Sequence, residues 1–108
     1  MKVIIGSEKQ IKWANDIIAK ASEAIERFDL YKIKEAFDEN DNASWFIENY
    51  AFATKARRTD VDTYIFFRDM ISKEFALRTE GLKRREIHEI IMNVFKPMFD
   101  EIEEQYML

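Results

Sequence analysis

The chain has 108 residues, 35% of them charged, and a net charge of -4, which fits one soluble cytoplasmic domain and argues against general coating of nucleic acid. It has no cysteine, which excludes disulfides, thiolate metal sites and thiol catalysis. The apolar run at the start is too short for a secretory signal, and no apolar stretch approaches the roughly 20 residues that span a bilayer.

The first segment, KVIIG at residues 2–6, is β-prone and suits a short N-terminal strand or an extended arm. Ser7 follows with Gln10 three residues on, which is the pattern of a capping box. We therefore expect a first helix over residues 8–28. Its apolar residues fill one continuous arc with Trp13 at the edge: Ile11, Ala14, Ile17, Ile18, Ala21, Ala24, Ile25 and Phe28.

The next segment, DLYKIKEAF at residues 29–37, predicts a second, shorter helix or a bent continuation of the first. DENDN at 38–42 is the clearest break, because these residues favour turns and caps. Asp41 or Asn42 then caps a third helix over ASWFIENYAFATKA, residues 43–56.

The fourth helix, expected over residues 60–79 behind a capping box of Thr59 and Asp62, is apolar on two faces. One face carries Val61, Tyr64, Ile65, Ile71 and Phe75, and the other carries Phe66, Met70 and Leu77. Such a helix is either central in the fold or shared with a partner. Phe66, Met70, Leu77 and the edge residue Trp13 are therefore candidate partner-binding residues, and the alternative is that the helix-four face is core.

Gly81 suits the left-handed residue that ends helix four. A fifth helix begins near Lys83, and Pro97 predicts a kink or break just before it. Its inward residues are Ile87, Ile90, Ile91, Val94, Met98 and Ile102. The fold class is thus all-α, a compact bundle of four to five helices in a single domain, 1–108.

The middle of the chain is basic. Residues 55–85 hold nine basic and five acidic side chains, whereas residues 86–108 hold one and six. Two clusters flank helix four and would form a phosphate-binding patch if they met in space: Arg57 and Arg58, then Lys83, Arg84 and Arg85. A helix-turn-helix with Gly81 in the turn adds slight support. The alternative is a solvated face paired with acidic segments.

Enzyme chemistry finds little support in the residues. GSEK at 6–9 has one glycine and lacks the longer glycine-rich phosphate loop. HEIIM at 88–92 has Met92 where a zinc motif needs a second histidine. His88 is the chain's only histidine, which removes most general-base schemes. We expect a protein that is not an enzyme and that holds no metal or cofactor.

Two segments carry a family resemblance. GSEKQIKWANDI at 6–17 and ASWFIEN at 43–49 resemble motifs of small, largely uncharacterised proteins from phages and integrated elements of Gram-positive bacteria. That family often has an arginine after the second motif, where this chain has Tyr50. The resemblance implies a mobile-element protein acting in a bacterial cytoplasm.

The function that we predict is binding without catalysis. A host or phage protein is the expected partner, and inhibition of a bacterial defence system, as by anti-CRISPR proteins, is the specific role. The alternatives are a DNA- or RNA-binding accessory protein that uses the basic 55–85 segment, and a helical homodimer joined through helix four. No membrane partner is expected.

Overall fold

The computed structural model describes residues 3–108, and this part of the chain is all-α, as predicted. It divides into two compact units, Met1–Ala56 (unit 1) and Arg57–Leu108 (unit 2). The single domain over 1–108 stays a prediction. No helix of the described chain has the length and hydropathy needed to cross a membrane.

Unit 1 holds three α-helices and a 3-10 turn. They are α1 (Glu8–Phe28), α2 (Tyr31–Glu39), α3 (Ala43–Tyr50) and the 3-10 turn Ala51–Thr54. α1 packs mainly on α3 and on the 3-10 turn, with smaller contacts to α2. The predicted third helix is therefore shorter than expected, since its last turn tightens to 3-10 geometry after Tyr50.

The start and end of α1 follow from local hydrogen bonds. The Gln10 amide donates to Ser7 Oγ at 3.2 Å and the Ser7 amide donates to Gln10 Oε1 at 3.0 Å, which confirms the predicted capping box. At the other end Asp29 is left-handed, with φ of 50°, and the Leu30 amide bonds back to the Ile25 carbonyl. This closing motif makes α2 a separate helix rather than a continuation.

The described part of the predicted strand forms only one parallel bridge, between Ile5 and Asn42. The Ile5 amide donates to the Asp41 carbonyl, and the Ala43 amide donates to the Ile5 carbonyl at 2.8 Å. Asn42 also caps α3 by accepting from the Ser44 amide. The N-terminal segment is thus an arm that pins the entry into α3.

Unit 2 contains a long helix and a second helical run that returns beside it. They are α4 (Asp60–Thr79), α5 (Arg84–Ile90), a π-helical segment (Ile91–Phe95) and α6 (Lys96–Met107). The Thr59 and Asp62 side chains form the predicted capping box at the start of α4. α4 packs chiefly against α6, while α5 has no buried residue.

A type II turn separates α4 from α5. The Leu82 amide bonds to the Thr79 carbonyl, and Gly81 takes a φ of 78°. The positive φ of Gly81 confirms the predicted left-handed glycine. A type II turn requires positive φ at its third residue, which glycine adopts without strain.

The predicted irregularity before Pro97 is a π-helical segment. Pro97 has no amide to donate and its ring crowds the carbonyl four residues earlier, at Asn93. The Lys96 amide instead bonds five residues back, to the Ile91 carbonyl. The helix therefore widens over residues 91–95 and continues, without a break, as α6.

Candidate binding surfaces

Trp13 is an exposed aromatic residue held in a fixed position on unit 1. Its side chain is 44% exposed on α1. The indole N–H donates to Thr54 Oγ1 at 3.1 Å, and that hydroxyl donates to the Ala51 carbonyl at 2.9 Å. The 3-10 turn therefore orients the ring while leaving nearly half of it open.

The surroundings of Trp13 resemble the edge of a protein interface. Lys9 and Asp16 lie one turn before and after it on α1, and both are exposed. Phe52 contributes a half-buried ring to the turn that anchors the indole. Tryptophan is enriched at the energetic centres of interfaces, and exposed charged residues such as Lys9 and Asp16 are typical of the polar rim around such a centre.

The other predicted partner-binding residues are not an exposed face. Phe66 is 3% exposed and Met70 is fully buried, while Leu77 is half-buried. Phe66 and Met70 belong, with Phe67, Ile71 and Glu74, to one buried arc of α4. The alternative of a core helix therefore describes Phe66 and Met70 better, and these two are corrected from partner-binding to core, while the partner-binding role of the half-buried Leu77 stays a prediction.

The five predicted phosphate-binding residues do not form one patch. Arg57 and Arg58 precede α4, whereas Lys83, Arg84 and Arg85 follow it. A 20-residue helix is about 30 Å long, so the clusters lie at its opposite ends. Arg57 is half-buried, with its guanidinium 4.3 Å from the Phe66 ring centroid. The helix-turn-helix interpretation also weakens, because α5 does not pack closely on α4.

Unit 2 carries an apolar groove that sequence reasoning did not identify. It has a volume of about 330 Å³ and is lined by Phe75, Ile91, Phe95, Lys96 and Phe99. Phe75 and Phe95 meet edge to face at 5.1 Å. The Lys96 ammonium donates to Asp100 at 2.8 Å, and this bond raises the pKa of Lys96. The groove is an apolar trough with a charged rim.

A buried ion pair lies beside the groove. Glu74 is fully buried, and its carboxylate accepts from Arg78 Nε one turn later. The Arg78 guanidinium also stands 5.3 Å from the Phe95 ring centroid. The signal in the sequence was a Glu and an Arg four residues apart on a helix with apolar residues around its circumference.

Metal-binding residues do not cluster in the described chain: residues 3–108 contain no group of three or more His, Asp or Glu side chains that would hold an ion. His88 is exposed on α5.

The chain matches no protein-family model, no curated protein and no solved structure. The resemblance to phage and mobile-element proteins therefore stays a prediction from its two motifs. Those motifs do contact each other in unit 1. A Cβ added at Gly6 would lie 2.9 Å from the Ala43 Cβ, so the first motif needs its glycine where it meets the second.

Proposed function

We propose that this protein acts by binding another protein without catalysis, and that Trp13 lies at the contact. The observation that carries the proposal is the anchored, 44% exposed indole. Covering the exposed 44% of the indole, about 110 Å² of a tryptophan's roughly 250 Å², would contribute about 2–3 kcal/mol to binding at 25 cal/mol per Å². Because the ring is already oriented, little of that gain is lost in ordering it.

The setting of the proposed function comes from the two motifs. Their resemblance to motifs of phage and mobile-element proteins supports a role inside a bacterial cell, with a host or phage protein as the partner. A small binding protein in that setting fits an inhibitor of a bacterial defence system, of the anti-CRISPR kind. Expression in a bacterium with active CRISPR immunity should then restore plaques of a targeted phage.

The contact is tested by affinity capture from a bacterial lysate with Trp13→Ala. Tyr31→Ala is the matched control, since Tyr31 is also 44% exposed on unit 1. The natural protein and the Tyr31 variant should retain the same host protein, and the Trp13 variant should lose it. Far-UV circular dichroism verifies that both variants are helical. Equal retention by the folded Trp13 variant would refute the proposed contact.

A further inference from the structure

The pitch of α1 places the charged residues beside Trp13. At about 100° per residue, Lys9 and Lys20 lie roughly 40° and 20° round the helix from Trp13, one turn before it and two turns after it. Asp16 lies between Trp13 and Lys20, and its carboxylate is 3.5 Å from the Lys20 ammonium. That pair is neutral as a unit, so within two turns of Trp13 the uncompensated charge on this side of the helix is the exposed Lys9.

A second cation stands where the 3-10 turn meets the indole. Thr54 accepts the indole N–H at 3.1 Å, and the next residue, Lys55, is exposed and has extended backbone. Its flexible four-carbon side chain can therefore reach a group that lies on the indole. Within residues 3–108, no ion pair involves Lys9 or Lys55.

The other acidic residues near this part of unit 1 stand away from the indole. Glu8 is about 140° round α1 from Trp13. Glu48 is about 170° round α3 from the three buried residues of that helix, so it lies on the outer face. Asp41 meets the arm at Ile5, ahead of the start of α1. The charge beside the indole is therefore positive, although the whole chain carries -4.

We infer that the surface which covers Trp13 is an acidic segment of the partner protein, with Asp or Glu side chains beside an apolar pocket for the indole. This inference rests on the proposed function and names the chemistry of the partner. Lys9 and Lys55 would face the partner's carboxylates from two sides of the ring. Such charges at the rim act mainly on the association rate and on the choice of partner, while the buried indole supplies affinity.

The charges around Trp13 favour a protein over a nucleic acid as the occupant. Bases stack on tryptophan, but binding of a single strand also needs a positively charged groove that follows the phosphates. Two uncompensated lysines on a chain of net charge -4 do not make such a groove. Binding of RNA is therefore an outcome that would count against the inference.

The first test is zero-length coupling within the complex of the natural chain and the protein captured through Trp13. A carbodiimide joins a lysine amine to a carboxylate that touches it, and mass spectrometry of the peptides identifies both residues. Lys9, Lys55 or both should be coupled to Asp or Glu of the captured protein. The coupled partner peptide should carry a net negative charge.

The second test is reversal of the two charges, with Lys9→Glu and Lys55→Glu. The dissociation constant of the captured protein should rise about tenfold or more at low ionic strength, chiefly through slower association. Added salt should weaken binding of the natural chain and should not weaken that of the variant. An acid in the first turn of α1 suits the helix dipole, so the fold is preserved. Arg84→Glu with Arg85→Glu makes the same charge change in unit 2 and should leave the dissociation constant unchanged.

The outcomes separate this inference from the proposed function. If Trp13→Ala loses the captured protein while the lysine variant binds it as tightly as the natural chain, the contact stands and the acidic partner is refuted. Absence of coupling at both Lys9 and Lys55 in that complex refutes it as well. If Trp13→Ala retains the protein, both proposals fail. Capture that ribonuclease abolishes would show RNA at this surface and overturn the inference.

Discussion

At the scale of single residues, Gly6 is where the two separated motifs, residues 6–17 and 43–49, contact each other. The Ile5 backbone bridges to Asp41 and Ala43, and this brings Gly6 against the first turn of α3. The space there admits no side chain, since an added Cβ would meet Ala43 Cβ at 2.9 Å and Gln10 Oε1 at 3.1 Å. The glycine of the first motif therefore has a packing role where the arm meets α3.

We predict that Gly6→Ala lowers the free energy of unfolding by about 1–3 kcal/mol, the usual cost of overpacking. Urea denaturation followed by circular dichroism measures it. Ala43→Gly in the same chain removes the atom that clashes and should recover part of the loss. A Gly6→Ala protein as stable as the natural one would show that the arm does not pack on α3.

At the scale of elements, the buried side of α4 contains an ion pair. Glu74 lies at the centre of the buried arc and is paired with Arg78. Burying two charges has a large desolvation cost, and removing one of them removes the attraction that offsets this cost for the other. The pair therefore adds little net stability to α4, but a single substitution at either residue should destabilise the helix strongly.

Glu74→Ala should lower the free energy of unfolding by up to about 3–5 kcal/mol, because it removes the carboxylate that pairs with the largely buried Arg78 guanidinium. Replacing both residues, with Glu74→Leu and Arg78→Met, should be close to neutral or stabilising. Chemical denaturation of the two proteins gives both values. A double variant that is less stable than Glu74→Ala would contradict this interpretation.

The elements differ in how far the sequence predicts them. Helix starts were predictable, because the caps at Ser7, Asn42 and Thr59 act through residues only two or three positions away. The π-helical segment was predictable only as an irregularity, since Pro97 removes one bond but does not specify its replacement. The exposure of α5 was not predictable, because apolar spacing gives a face without saying what covers it.

The candidate sites likewise differ in how far the sequence predicts them. Trp13 was placed at the edge of an apolar arc by spacing alone, and its exposure agrees with that position. Phe66 and Met70 are buried and not on a partner-binding face, as one interpretation predicts. Periodicity does not distinguish core from surface on α4, because this helix has apolar residues around its circumference. The groove combines residues of α4, the π-helical segment and α6, and only the three-dimensional packing brings them together.

At the scale of the whole molecule, the charge is negative overall and its basic clusters are separated. The net charge is -4, and the two clusters lie about 30 Å apart along α4. We predict no mobility shift of labelled DNA even at about 50 mM salt, because the two basic clusters stand at opposite ends of α4 and do not form one patch along the phosphates. A shift that weakens steeply with salt and is lost in Arg84→Glu with Arg85→Glu would contradict this prediction.

The central claim is that a partner protein covers Trp13, and acrylamide quenching of its fluorescence tests this most directly. Trp45→Phe removes the chain's other tryptophan, so that all the tryptophan emission of this chain comes from Trp13, and the partner's own emission is measured separately and subtracted. When the captured partner is added, the quenching constant of this protein should fall severalfold, since the 44% exposed indole becomes buried. A quenching constant that stays unchanged while the partner is bound would contradict the account.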